Sequence, residues 1–67
     1  MKKKRWIIEN RFYRVGRGWG DWDFTYNRAD VFHHETPAIN KLQEYKREET
    51  DTSEYRLTEE WVDEEYW

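Results

Sequence analysis

The sequence predicts an α+β fold, a small antiparallel sheet of three to four strands with one helix packed on a face. Residues 5–15 and 54–62 alternate between β-branched or aromatic and polar side chains, which predicts strands near both ends. Between them, residues 36–47 carry an apolar stripe at helical spacing behind a capping residue. One helix crossing one sheet buries these stripes within a single small domain, residues 1–67.

The N-terminal segment is predicted to form a tight β-hairpin. Residues 5–9 and 11–15 are each rich in β-branched and aromatic side chains, and Asn10 between them is a typical turn residue. Alternation places Ile8 on one face of this hairpin and Ile7 on the other. Both faces therefore carry apolar groups. We expect the rest of the protein to cover one face and the other face to stay exposed and prone to association.

Residues 16–27 are the most irregular part of the chain. Three glycines in five positions allow positive φ angles, and aromatic rings alternate with acids around Trp22. We interpret residues 22–26 either as a short strand with its rings turned inward or as a packed loop of the functional kind. Residues 29–33 follow as another short strand.

The helix is predicted to start at Thr36 and Pro37. Threonine caps free backbone amides, and proline in the first turn lacks an N–H group that would have no partner there. Ala38, Leu42 and Tyr45 then follow on one face of the helix. This stripe is the surface that we expect to pack on the sheet.

The last third of the chain contains one predicted strand. The helix is expected to end near residues 47–49, and residues 50–53 read as a polar linker. Residues 54–62 alternate again, and residues 63–67 are expected to fray. Alternation places two rings and a leucine on one side of this strand: Tyr55, Leu57 and Trp61.

The layout of the first two thirds resembles that of many short uncharacterised bacteriophage proteins. These share an N-terminal hairpin, a Gly-Trp loop, an Ala-x-Val-Phe strand and a helix opened by Thr or Ser. The matching segments here are residues 5–15, Gly18-Trp19, residues 29–32 and Thr36. The resemblance implies an accessory factor that binds and disables a host enzyme or defence complex, and it implies no individual functional residue.

The charge is divided unevenly along the chain. Residues 1–28 contain eight Lys or Arg against three acids, a balance of +5, and residues 29–67 contain four against twelve, a balance of −8. Folding brings these halves together, and a surplus face of one sign would select partners. Thirteen aromatic residues exceed what so small a core can bury, so we expect grouped exposed rings to mark an interface.

Our first hypothesis is a non-enzymatic protein-binding module. Its C-terminal carboxylates would imitate a nucleic-acid backbone and occlude the basic nucleic-acid-binding site of a host enzyme or defence complex, with exposed rings as anchors. The alternative for these carboxylates is a face that is only solvated. The acids are Glu48, Glu49, Glu54, Glu59, Glu60, Asp63, Glu64 and Glu65, and the rings are Trp19, Trp22 and Trp61.

The second hypothesis is nucleic-acid binding by the N-terminal segment. Cations that neutralise phosphates, beside rings on which bases stack, meet the requirements of single-strand binding, although a net charge of −3 weakens long-range attraction. A third possibility is a homodimer formed through sheet edges or surplus rings. The cations of the second hypothesis are Lys3, Lys4, Arg5, Arg11, Arg14 and Arg17.

Other function classes find little support in the sequence. Gly16-x-Gly18-x-Gly20 has neither the spacing of a dinucleotide fingerprint nor the ending of a P-loop. His33 and His34 are adjacent, so on a strand they point to opposite faces and cannot easily share a metal. Catalytic carboxylates need a water-excluding cleft, which domains of this size rarely have. We expect a cytoplasmic, host-cell location, no membrane segment, no cofactor, no metal and no enzymatic activity.

Overall fold

A computed structural model describes residues 1–25 and 30–67. One helix packs against an open antiparallel sheet of five strands, which confirms the predicted α+β class. Three of the strands have only two residues each. The elements are β1 (Lys2–Arg14), β2 (Gly18–Trp19), β3 (Asp23–Phe24), β4 (Val31–Phe32), α1 (Glu35–Arg47), β5 (Ser53–Asp63) and a 3₁₀ helix (Glu64–Tyr66).

β1 is the central strand of the sheet. On one side it pairs with β5 along eleven consecutive residue pairs, from Lys2–Asp63 to Phe12–Ser53. On its other side it pairs in turn with β4, β3 and β2. This long ladder gives the molecule an elongated shape of 45 × 22 × 15 Å. Among residues 1–25 and 30–67, β5 pairs with β1 alone and is therefore an edge strand.

The predicted hairpin with its turn at Asn10 is wrong, because β1 continues through this position. Asn10 is buried and pairs with both β5 and β3. The chain reverses instead at Gly16, which has a φ of 84°, and the Arg17 N–H donates to the Arg14 carbonyl at 3.0 Å. Glycine adopts a positive φ at little cost, so it determines where the hairpin turns.

The buried apolar core of the described residues consists of Ile7, Ile8 and Ala38. The Tyr45 ring of α1 stacks on Tyr55 of β5 with centroids 4.8 Å apart, which identifies the sheet face that the helix covers. Ile8 lies on this covered face and Ile7 on the other. Burying each isoleucine contributes about 1.5–3 kcal/mol. Both predicted faces therefore hold a buried isoleucine.

α1 begins two residues earlier than predicted. His34 is the residue before its first turn and makes no side-chain capping hydrogen bond, so the predicted cap at Thr36 is wrong. Pro37 lies third in the helix, where a backbone N–H still has no intrahelical partner, and the earlier start is therefore tolerated. The helix ends at Arg47, as predicted.

Of the two interpretations of residues 22–26, a strand with every ring turned inward is wrong. β3 is limited to two residues, Phe24 is 52% exposed and Trp22 is half-buried. Tyr26 lies outside the described residues, as does Ala29 at the start of the next predicted strand. That strand is present as β4, shorter than predicted.

The C-terminal strand is confirmed as β5, and Tyr55, Leu57 and Trp61 lie on one side of it, as predicted. Tyr55 and Leu57 are half-buried on the helix-covered face. Trp61 shares this face but is 61% exposed. The apolar side of β5 therefore extends beyond the part that is covered.

The residues after β5 are folded back on the start of β1. The Trp67 ring stacks on His33 with centroids 4.1 Å apart, and its indole N–H donates to the Lys4 carbonyl at 3.1 Å. Fraying of residues 63–67 concerns motion and stays a prediction. The conformation itself is a 3₁₀ helix with a packed terminal ring.

Candidate interaction surface

Ion pairs between β1 and the C-terminal segment neutralise most of the acids predicted to form a binding face. The register of the β1–β5 ladder places the basic start of β1 opposite the acidic end of β5. Five pairs result, with N–O distances of 2.8–3.7 Å: Lys2–Asp63, Lys3–Glu64, Lys4–Glu59, Arg5–Glu60 and Arg11–Glu54. The opposite charges of the two halves therefore meet within the molecule.

The eight acids of the first hypothesis do not form an unpaired negative face. Glu49 pairs with Lys46 at 3.6 Å and also accepts the backbone N–H of Tyr55 at 3.2 Å. Within residues 1–25 and 30–67, Glu48 and Glu65 are the members of this set without an ion pair. The cations of the second hypothesis are similarly occupied, four of six being paired: Lys3, Lys4, Arg5 and Arg11.

On the sheet face opposite α1, arginine and tryptophan side chains stack alternately. The Arg56 guanidinium lies 4.3 Å from the Trp22 ring centroid. The Arg11 guanidinium lies 4.8 Å from the same ring and 4.7 Å from the Trp19 ring. Trp19 meets Tyr13 edge-on, with centroids 5.6 Å apart. These five side chains form one continuous cluster, named here the Arg–Trp stack.

Carboxylates hold both guanidinium groups of the Arg–Trp stack in place. Arg11 donates from Nε and Nη2 to one oxygen of Glu54, at 3.3 and 3.0 Å. Arg56 donates from Nε to Glu9 at 2.9 Å, and the same oxygen accepts the Thr58 hydroxyl at 2.6 Å. A planar guanidinium held at its edge by a carboxylate keeps its faces available to rings. The ladder register thus positions the tryptophan rings.

The outer end of the Arg–Trp stack lies at the turn between β1 and β2, where large apolar groups are exposed. Tyr13 and Trp19 are exposed there on the face of the stack, and Phe12 is exposed on the helix-bearing face. Phe24 lies farther along the sheet, opposite Glu9, and lines the same groove. These four rings are between 37% and 52% exposed, and the valine of the turn is 95% exposed. Exposed rings grouped with arginine have the composition of protein-binding hot spots. This surface, named here the hairpin tip, consists of Phe12, Tyr13, Arg14, Val15, Arg17, Trp19 and Phe24.

A shallow groove of about 380 Å³ crosses the hairpin tip. Its lining includes Arg14 and Arg17, which form no ion pair with any described residue, and also Asp21 and Asp23. These four side chains carry two positive and two negative charges, so together they add no net charge to the groove. Its binding capacity therefore depends on shape and rings more than on charge.

The three tryptophans predicted as partner contacts do not lie together. Trp19 and Trp22 belong to the Arg–Trp stack, whereas Trp61 lies on the helix-bearing face, 5.2 Å from the Lys4 ammonium. Sequence reasoning also missed Arg56 as a partner of these rings. The sequence does contain a signal for this contact, in the form of two Glu-x-Arg motifs. In the antiparallel register the glutamate of each motif faces the arginine of the other: Glu9–Arg56 and Glu54–Arg11.

A separate polar cluster attaches α1 to the sheet. The Asp30 carboxylate is 2% exposed and accepts the Tyr45 hydroxyl at 2.7 Å and the Thr25 hydroxyl. Burial, together with the hydrogen bond to Asp30, raises the pKa of Tyr45 to about 12. The carboxylate is closed off from solvent, so this cluster supports the helix position instead of offering a binding site.

Comparison of the chain with protein-family models, with curated proteins and with solved structures finds no match. None of the described helices is long and apolar enough to cross a membrane. Across residues 1–25 and 30–67, no three His, Cys, Asp or Glu side chains lie close enough together to hold a metal ion.

Proposed function

We propose that the protein is a non-enzymatic protein-binding module whose contact surface is the hairpin tip. The observation that carries this proposal is the Arg–Trp stack, which holds Trp19 and Tyr13 at the exposed end of a fixed framework. Rings that are already ordered lose little conformational entropy on binding. Large rings beside arginine are also the residue types that dominate binding energy at protein interfaces.

The proposed recognition uses rings in place of a displayed negative charge. Mimicry of a nucleic-acid backbone needs unpaired carboxylates, and most of the predicted set are paired with Lys or Arg. The resemblance to short bacteriophage proteins adds a proposed context. In that context the partner is a host enzyme or defence complex, and the protein acts in the host cytoplasm as an inhibitor that occludes a site.

Binding of single-stranded nucleic acid is the second candidate, because Arg14 and Arg17 lie beside exposed rings. Asp21 and Asp23 line the same groove and repel phosphates. Two neutralised phosphates would give log K a slope of only about −1.4 against log salt concentration. That attraction is weak at physiological salt, so we favour a protein partner.

The proposal is tested by quantitative capture from a bacterial lysate on the chain immobilised at low density. Trp19→Ala removes the central ring of the hairpin tip. Trp61→Ala is the matched control, because it removes an exposed tryptophan from the other sheet face. We expect one captured protein to be retained by the control and reduced about 30-fold by Trp19→Ala, the size of a 2 kcal/mol hot spot.

Arg17→Glu tests the hairpin tip without disturbing the Arg–Trp stack, and it should also weaken capture. Circular dichroism verifies that each variant is folded. Capture that is lost with Trp61→Ala and retained with Trp19→Ala would refute the proposed surface. Capture that is lost only when Glu48 and Glu65 are changed to lysine would support the acidic residues, and not the hairpin tip, as the contact surface. Salt-sensitive binding of a labelled oligonucleotide, without protein capture, would favour the second candidate.

A further inference from the structure

The outer edge of β5 presents backbone groups that no described residue pairs with. Where β5 is extended at both ends, the Tyr13 N–H donates to the Thr52 carbonyl at 2.9 Å and the Glu64 N–H donates to the Met1 carbonyl at 3.0 Å. Even-numbered residues of this segment therefore direct their backbone groups toward β1. Odd-numbered residues direct theirs outward, away from the sheet.

The free part of this edge is limited on its N-terminal side. Leu57, Glu59, Trp61 and Asp63 have outward N–H and C=O groups without a partner among the described residues. On the N-terminal side, the outward N–H of Tyr55 is already held by the Glu49 carboxylate at 3.2 Å. β5 contains none of the lysines, prolines or glycines that commonly protect an edge strand.

We propose that a second copy of this chain adds its own β5 to this edge in antiparallel orientation, with the two-fold axis at Glu59. In this register Leu57 faces Trp61 of the second copy, and Trp61 faces Leu57. Leu57, Glu59 and Trp61 of each copy then exchange about six backbone hydrogen bonds. A shift toward Tyr55 would require an N–H that Glu49 already holds.

The side chains of the helix-bearing face fit the same register. Trp61, which is 61% exposed in one copy, is covered by Leu57 of the other, an apolar cross-strand pair. Glu59 meets Glu59 of the second copy at the axis. Each of these carboxylates already lies 3.3 Å from the ammonium of its own Lys4, so the like charges are compensated.

Two-fold symmetry identifies a second copy as the occupant, because the same edge supplies both members of the apolar pair, Leu57 and Trp61. On the other face Arg56 lies diagonally across from Glu60 of the second copy, and each already has an ion-pair partner in its own chain. Glu54 faces Glu64 of the second copy, and both already have an ion-pair partner in their own chain. Because the hairpin tip lies beyond the other end of β5, dimerisation leaves both tips exposed.

Sedimentation velocity over a hundred-fold range of protein concentration tests this proposal. We expect a species of twice the 8.5 kDa chain mass that dissociates on dilution. Glu59→Pro removes the central outward N–H, which an edge strand tolerates because this amide does not bond to β1. We expect this variant to be folded and monomeric. Glu59→Ala is the matched control, since it also removes the Lys4 ion pair but keeps the N–H, and it should remain dimeric.

Two further variants keep the proposal testable if Glu59→Pro does not fold. Trp61→Lys changes an exposed side chain and should weaken the dimer at least about ten-fold. Glu59→Cys introduces the one thiol of the chain, and a short bis-maleimide should link two copies through it. A monomer at every concentration would overturn the proposal, even if β5 bound a foreign peptide. A dimer insensitive to Trp61→Lys, or one without a position-59 cross-link, would overturn it as well.

Discussion

Replacing Arg11 by lysine separates the stacking role of this side chain from its charge. The guanidinium lies 4.7 Å from the Trp19 ring and 4.8 Å from the Trp22 ring, and it donates twice to Glu54. Lysine keeps the charge but has no planar surface and no two-point contact with a carboxylate. Each partly exposed cation–π contact contributes about 0.5–1 kcal/mol, so Arg11→Lys should lower the free energy of unfolding by about 1–2 kcal/mol.

Urea unfolding followed by circular dichroism measures this loss. In a domain of this size, 1 kcal/mol lowers the melting temperature by about 4–8 °C, so the change is well resolved. Arg14→Lys is the matched control, because this arginine has no ion pair or ring contact with a described residue, and it should change stability by less than about 0.5 kcal/mol. The near-ultraviolet signal of the tryptophans should weaken only in Arg11→Lys. Equal unfolding midpoints for the two variants would refute the ordering role of the Arg–Trp stack.

Three other substitutions test the core, the polar cluster and the ion pairs. Ile8→Ala should lower the free energy of unfolding by about 2–5 kcal/mol, whereas Val15→Ala should leave it almost unchanged. Because the folded pKa of Tyr45 is about 12 and the unfolded value is 10.0, its contribution to stability is complete below pH 10 and declines as the pH rises toward 12. Tyr45→Phe should lack this part of the alkaline decline in melting temperature. Glu59→Lys places a second cation beside Lys4 and should cost about 0.5–1 kcal/mol in urea unfolding.

Each of these predictions has an outcome that contradicts it. Similar losses for Ile8→Ala and Val15→Ala would mean that burial does not distinguish the two positions. Parallel alkaline declines for the unsubstituted chain and Tyr45→Phe would argue against the contact between Tyr45 and Asp30. An unchanged unfolding midpoint for Glu59→Lys would show that its pairing with Lys4 contributes nothing measurable.

Local patterns in the sequence were sufficient to predict the fold class, the helix and the last strand. Ala38, Leu42 and Tyr45 follow one another at helical spacing and form an apolar stripe. Such a stripe predicts a helix whichever sheet it later packs against. The alternation in β5 likewise depends on neighbours two positions apart. These elements could be recognised because the information that specifies them lies within one segment.

The course of β1 could not be predicted from its own residues. Asn10 has a turn propensity that is purely local, whereas eleven pairs with a strand more than forty residues away keep it extended. The glycine at position 16 provides the turn at lower cost. Propensity is a weak preference, and long-range pairing overrides it here.

The contacts of the candidate site could not be predicted for the same reason, because they depend on the register of the β1–β5 ladder. The sequence predicts that its basic and acidic halves attract each other, and the ladder shows which charges meet. A shift of one residue would turn the carboxylates of β5 to the opposite sheet face. The Arg–Trp stack arises from the same register, since Arg56 reaches Trp22 only when Glu9 faces it. The exposed rings could be anticipated from composition, but not their grouping at the hairpin tip.

Hydrogen exchange of the chain, measured with and without its captured protein, tests the binding surface most directly. If the hairpin tip is the contact, amides from Tyr13 to Trp19 should exchange about ten-fold more slowly in the complex, and those from Glu59 to Glu65 should be unchanged. Slower exchange at Glu59–Glu65, with an unchanged tip, would contradict the proposal and assign recognition to the acidic strand.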